Sequence, residues 1–189
     1  MSVTAARGFE ASGVAAGIRY KRADVALVRS TSPAVGGAMF TRNKVQAACL
    51  QLNRAHLAAA EPQAVVVNSG VANAATGATG YENAVATAAH TAQQLGLAAE
   101  QVLVLSTGVI GMQLPMDRLL PGVDSAAGAL SADGGPAAAD RLIKANVVAV
   151  VGPICSAGTN ASLSLYDKAG ITHISASATA GNPGRANTR

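Results

Sequence analysis

Short aliphatic runs separated by long stretches of small residues dominate the chain, and the period of each run predicts its element. RADVALVRS, residues 22–30, and GAMFTRN, residues 37–43, read as extended, with the turn signal TSPAVGG between them. The first 50 residues as a whole predict several short strands. Ala64 to Asn68, AVVVN, is a continuous apolar run of the buried-strand type, and it opens into the small-residue loop SGVANAATGATG. A helix follows. Thr79 and Glu82 have capping-box spacing, and Gly96 stands where a C-terminal cap belongs. Ala84, Val85, Ala88, Ala89, Ala92 and Leu95 give that helix one apolar face.

A second buried strand is expected at Val102–Leu105, running into the loop Ser106-Thr107-Gly108-Val109-Ile110-Gly111. Pro115 suits the first turn of a short helix, PMDRLL, stopped by Pro121-Gly122. Residues 124–136, rich in Ala, Gly and Ser, predict a turn or junction. Beyond them AAADRLIKAN (137–146) reads as helix, VVAVVG (147–152) as buried strand, GTNASLSLYDKAG (158–170) as capped helix and ITHIS (171–175) as short strand. This is a compact βαβ pattern, the unit of a parallel sheet. The closing ATAGNPGRANTR has no apolar face and reads as a loose end.

Composition narrows the class. Half of the 189 residues are hydrophobic, but only 3% are aromatic and Trp is absent, which suits tightly packed α/β layers. No apolar run is long enough to span a membrane and the N-terminus has no apolar leader core, so the expected compartment is the cytoplasm. Cys49 and Cys155 match no metal or redox spacing and are expected as free thiols. His56, His90 and His173 are equally scattered, and no metal is expected. Residues 1–54 carry eight Lys/Arg and two acids, a balance of +6, while His56 to Asp117 holds four acids and no Lys or Arg. The basic residues are dispersed and not interleaved with aromatics, which argues against nucleic-acid binding.

The candidate chemistry lies in the two glycine loops. One reading is plain loop chemistry, with Gly allowing positive φ and Ser or Thr bonding its own backbone. A phosphate cradle is a second, but neither G-K-[ST] nor G-x-G-x-x-G is present. In a third, Thr107 and Gly108 form an oxyanion hole, a hydroxyl and a backbone N–H held at a strand end. Spacing alone leaves all three open.

RGFEASGVAAGIR, RADVALV, FTRNKVQAA, AVVVNSGVANAATG, GYENA and STGVIGMQLPMD occur in that order. With these motifs residues 1 to about 139 resemble the N-terminal, α-chain part of the ornithine acetyltransferases, the bifunctional glutamate N-acetyltransferases of arginine biosynthesis. The resemblance implies layered sheets and helices, and acetyl transfer from N-acetylornithine to glutamate. It assigns the oxyanion hole to Thr107 and Gly108 and a supporting loop to Asn68 and Asn73. It implies no bound cofactor, with acetyl-CoA an alternative acetyl donor in the family. In that family the chain cleaves itself before the Thr of a Met-Ala-Thr motif, and that Thr becomes the nucleophile of a second subunit. No such motif occurs in these 189 residues, so the expectation is a chain inactive alone, whose partners are amino-acid substrates and either a second acetyltransferase subunit or another copy of itself.

The tail, about 140–183, resembles a fragment of periplasmic branched-chain amino-acid binding proteins. The corresponding ligand-binding positions are Ser156, Ser177 and Thr179. The expected organisation is thus an incomplete acetyltransferase-like domain over 1–139 and a βαβ fragment over 140–189, loose after about 180. Two alternatives follow from it: a fusion or truncated chain with no evolved activity, or a small amino-acid binding module.

Overall fold

The computed structural model describes residues 3–19, 23–138, 149–151 and 172–174. Four strands, β1 (Phe9–Val14), β2 (Val25–Ser30), β3 (Ala64–Val71) and β4 (Val102–Val109), form one sheet in that spatial order. β1 and β2 are antiparallel, as are β2 and β3, whereas β3 and β4 run parallel. Parallel neighbours need a crossover, and here it is α2 (Gly77–Leu95); α1 (Ala48–Ala59) and α3 (Met116–Gly128) pack with it, and residues 135–138 are helical at the start of the stretch expected as helix over 137–146. The class is mixed α/β, as expected.

Alternation decides which face is covered. Val25, Leu27, Ala64, Val66, Val102 and Val104 project to one side and join Leu52, Ala88, Leu119 and Val123 in a single core. The opposite face is barer: Val28, Val65 and Leu103 are half-buried and Leu105 is 45% exposed.

The first two of the helices read from the sequence both change. α2 starts at Gly77, so Thr79 lies within its first turn and the expected Thr79–Glu82 capping box is not its start; the N-cap Thr76 makes no side-chain cap bond. Its other end is as expected: Gly96, φ 66°, sends its N–H to the carbonyls of Ala92 and Gln93. The buried stripe is rotated from the expected one. Thr87 and Thr91 are buried, their hydroxyls donating to the carbonyls of Asn83 and Thr87, while Val85 and Ala89 face outward. α3 does not stop at Pro121 but carries it inside. The lost backbone bond and ring clash, worth about 3 kcal/mol, are outweighed by the burial of Leu119, Val123 and Ala126, and Gly122 meets Ala16 where a side chain would collide. What read as a junction then folds back, with Ser131 pairing with Ala11 of β1 through two backbone bonds of 3.0 and 3.1 Å.

β2 is the strand expected from RADVALVRS, but GAMFTRN forms no strand. Residues 33–43 have no partner strand to accept their backbone and lie mostly exposed along the surface. β1 is one of the several short strands expected in the first 50 residues, whereas α1 is an addition. α1 was hidden because its buried residues are polar as well as apolar: Ala48, Cys49, Leu52, Asn53 and His56 recur at helical spacing, but only three of the five are hydrophobic. In the tail, β5 (Ala149–Val151) and β6 (Thr172–Ile174) are present and pair in parallel. The helix expected at 158–170 lies outside the described residues. Among the described residues no helix is long and apolar enough to cross a membrane.

Candidate active site

Neither glycine stretch is a loop where it begins. β3 continues through Asn68-Ser69-Gly70-Val71 and β4 through Ser106-Thr107-Gly108-Val109, paired residue for residue. Gly70 (φ 113°) and Gly108 (φ 135°) are register partners, and a Cβ on Gly108 would overlap the Gly70 carbonyl and the Val71 nitrogen. The two glycines therefore let the strands stay joined through a backbone conformation that L side chains rarely adopt. Above Gly70 lies the 16–19 loop, held by Asp24. Its buried carboxylate accepts the N–H groups of Ala16 at 2.6 Å and Arg19 at 2.7 Å, and Arg19 Nη1 reaches Ser69 Oγ at 3.2 Å.

β4 is an edge strand of this sheet, and α1 closes part of its edge. Asn53 spans Val104 twice, its Nδ2 donating to the carbonyl at 2.8 Å and its Oδ1 accepting the N–H at 2.8 Å. His56 Nδ1 lies 2.8 Å from the Val102 carbonyl, which can only accept, so that nitrogen carries the proton. The Ser106 N–H acts on the Cys49 sulfur. Positions 49, 53 and 56 of the helix thus address 106, 104 and 102 of the strand. The spans are comparable: the seven residue steps from 49 to 56 advance about 10.5 Å and the four from 106 to 102 about 13 Å. α1 and β4 therefore run antiparallel, and the N-terminal end of α1 lies beside Ser106.

This arrangement determines what Gly108 presents. Val104 turns both backbone groups to the outer edge, and alternation turns those of Ser106 and Gly108 the same way. α1 reaches Ser106 and ends. Gly108 is exposed, and beyond the strand ladder no described residue bonds its N–H. Thr107, half-buried, projects to the barer face of the sheet. A hydroxyl and an N–H on consecutive residues thus meet at an open corner, next to the positive end of the α1 dipole. The N-cap Ala47 supplies no side-chain acceptor, and the first turn of α1 holds no acidic residue.

Behind the corner the packing is polar. Asn73, fully buried with φ 49°, donates from Nδ2 to the Gly80 carbonyl at 2.8 Å, accepts the Thr76 hydroxyl at 2.9 Å, and its carbonyl takes the Ala48 N–H at 3.2 Å. It ties the starts of α1 and α2 together. Asn68 Nδ2 donates to the Val71 carbonyl at 2.9 Å and braces the end of β3. The Cys49 thiol, a free cysteine, is pushed up by burial, with the N–H groups of Ser106, Leu50 and Cys49 itself acting in the other direction.

Of the residues expected at a site, Thr107 and Gly108 fall together on β4, with Asn68 and Asn73 packed behind them. Ser156, Ser177 and Thr179 lie outside the described residues, as does Cys155. Asn53, Cys49, His56 and Asp24 position the strand and its neighbouring loop and were not read from the sequence. The one signal for Cys49, Asn53 and His56 was their helical spacing, and Asp24 had none. No group of three or more His, Cys, Asp or Glu placed to hold a metal ion occurs among the described residues.

The mixed sheet and its helices match the architecture of ornithine acetyltransferases. The ornithine acetyltransferase of Mycobacterium tuberculosis, solved in complex with ornithine, superposes with a TM-score of 0.72 at 41% identity, covering 75% of this chain and 78% of that one. The arginine biosynthesis bifunctional protein ArgJ of Bacillus halodurans gives 0.69 at 38% identity, covering 75% and 74%. ArgJ of Streptomyces coelicolor is 51% identical over 156 residues, 78% of this chain and 41% of the relative, and ArgJ of a Synechococcus strain is 44% identical over 149 residues. The ArgJ family model matches residues 10–157, so the match runs past residue 139, where the resemblance was expected to end. This chain belongs to the ArgJ family. It spans about two fifths of the length of the curated relatives it matches.

Proposed function

We propose that this chain supplies the oxyanion-stabilising half of an acetyl-transfer site acting from N-acetylornithine to glutamate. The observation that carries the reading is the Gly108 N–H on the unsealed outer edge of β4, next to the Thr107 hydroxyl. The names of the relatives and the ornithine held by the M. tuberculosis homologue support the substrate class. In this reading residues 1–139 form the acetyltransferase unit and 140–189 a separate βαβ fragment.

The chemistry proceeds in two displacements. A threonine hydroxyl from outside residues 1–189 attacks the acetyl carbonyl of N-acetylornithine. A C–O bond forms as the carbonyl π pair moves onto oxygen, and that oxygen accepts hydrogen bonds from Thr107 Oγ and the Gly108 N–H. Collapse breaks the C–N bond, and ornithine leaves with the proton given up by the hydroxyl. The glutamate amine then attacks the acetyl ester through the same oxyanion and regenerates the threonine. Removing one such donor costs on the order of 10²–10³ in kcat.

The test joins this chain to the C-terminal portion of the S. coelicolor relative, expressed together, and follows acetyl transfer between N-acetylornithine and glutamate. Turnover is expected, with Thr107→Val lowering kcat by about 10²-fold and leaving the thermal midpoint unchanged. Absence of both association and turnover would overturn the proposal, as would a Thr107→Val protein with full kcat.

A further inference from the structure

We propose a second small-molecule site at the opposite end of the sheet, a cleft that takes a free α-amino acid with its carboxylate on Arg29 and its ammonium toward Glu61. The cleft has a volume of about 510 Å³, within the range of ligand pockets. Arg29 stands at the end of β2, opposite Ala64 at the start of β3. Ala64 in turn pairs with Val102, six residues before Gly108 on β4, so the cleft lies about 20 Å along the strands from the Thr107–Gly108 corner.

Arg29 is the reason to expect a ligand. Its Nε is buried with no hydrogen-bond partner, and among the described residues nothing bonds or ion-pairs with its guanidinium. Glu10, directly across on β1, does not come within ion-pair distance. A buried guanidinium N–H left unpaired is costly, and a carboxylate is the partner that the planar fork, here part-exposed to the cleft, fits in two-point fashion.

The rest of the cleft argues for a zwitterion over a simple anion. Glu61 lines it, and one carboxylate oxygen is held by the Gly36 N–H at 2.9 Å while the other has no hydrogen bond among the described residues. α1 ends at Ala59 and α2 at Leu95, so both bring carbonyl ends to this side, which favours a cation near Glu61. Pro33, Ala34, Val35 and Leu97 supply the apolar wall for a side chain. Opposite charges too far apart to pair with each other, across an apolar groove, match the two ends of an amino acid.

The probe is L-leucine, titrated calorimetrically into the intact chain, with 4-methylpentanoate lacking the ammonium and leucinamide lacking the carboxylate. Saturable one-site binding of leucine is expected, and each analogue should bind about tenfold more weakly or worse. Arg29→Met should abolish binding and Glu61→Gln should weaken it. If Arg29→Met lowers the folded fraction, Arg29→Lys decides, because it keeps the charge and loses the fork; it too should weaken binding. No saturable heat at millimolar leucine overturns the proposal. So does undiminished binding by the Arg29 variants, or equal affinity for leucine and 4-methylpentanoate. Binding is read on this chain alone, so failure here leaves the acetyl-transfer reading standing, and failure of that reading leaves this one standing.

Discussion

The two halves of β4 share one backbone and one neighbour, β3, yet differ in what lies on their outer edge. From Val102 to Ser106 the edge is sealed by α1, with Asn53 acting as a stand-in for a missing strand by bonding both polar groups of Val104. From Thr107 to Val109 no described residue bonds the outer edge. An edge strand that exposes its N–H and C=O groups is a liability that folds ordinarily cover. Here the cover stops one alternation short of Gly108. The sealed half spends its backbone groups on stability, and the open half keeps an N–H and a hydroxyl for an incoming atom. The helix that does the sealing also directs its positive end at the opening, so one element serves both halves.

Gly108→Ala should break the comparison most severely, because it strikes the joint between the strands. The new Cβ would meet the backbone of Gly70 and Val71, which no side-chain rotation can relieve, at φ 135°. Overpacking and backbone strain together predict a loss of about 4 kcal/mol, read as a fall in the denaturant midpoint. A variant as stable as the parent would mean that β3 and β4 are not held together at this point.

Asn53→Leu comes next and tests the sealed half alone. It removes two hydrogen bonds and leaves the N–H and carbonyl of Val104 buried without partners, for a cost of about 3 kcal/mol. Val109→Thr, in the open half and 53% exposed, should stay within about 0.5 kcal/mol. Similar costs at the two positions would erase the distinction between the halves.

The sealed half also predicts an alkaline effect. Burial raises the Cys49 thiol above its ordinary 9.0. Between the unfolded and folded values the unfolded chain binds fewer protons, so stability is full below about pH 9 and falls as pH rises beyond it. Equilibrium unfolding from pH 8 to 10 should show the slope in the parent and a smaller one in Cys49→Ala. Identical slopes would place the thiol in water rather than behind β4.

These contrasts were unequally legible in the sequence. Thr107 and Gly108 could be singled out because two hydroxyls and two glycines interrupt an aliphatic run, and the ordered motifs gave them a role. That the run continues as strand could not be read, since glycines with positive φ look like loop until a second glycine is seen facing them across a ladder. α1 escaped for a physical reason as well. Its inward face carries Asn53 and His56, whose purpose is to bond an edge strand, and a search for apolar periodicity passes over residues buried for their polarity. Pro121 misled in the opposite sense: a local breaker was overruled by Leu119, Val123 and Ala126, which find a core that the local sequence does not reveal.

The smallest expected effect concerns the turn between β3 and α2, where the chain leaves the open corner. Asn73 and Ala75 both adopt left-handed backbone, at φ 49° and 57°. Asn73 is compensated, for its side chain makes the two bonds that tie in Gly80 and Thr76. Ala75 has no polar group with which to do the same, so it bears the cost of the conformation uncompensated. Ala75→Gly relieves that strain but gives the unfolded chain more freedom, and the two terms oppose each other. The balance should favour the variant by about 0.5 kcal/mol, a rise in the denaturant midpoint with unchanged slope. The same exchange at Asn73 should lower stability, because there the left-handed turn is held by hydrogen bonds that glycine lacks. If Ala75→Gly were instead destabilising, the left-handed turn at Ala75 would not be the conformation through which the strand end connects to α2.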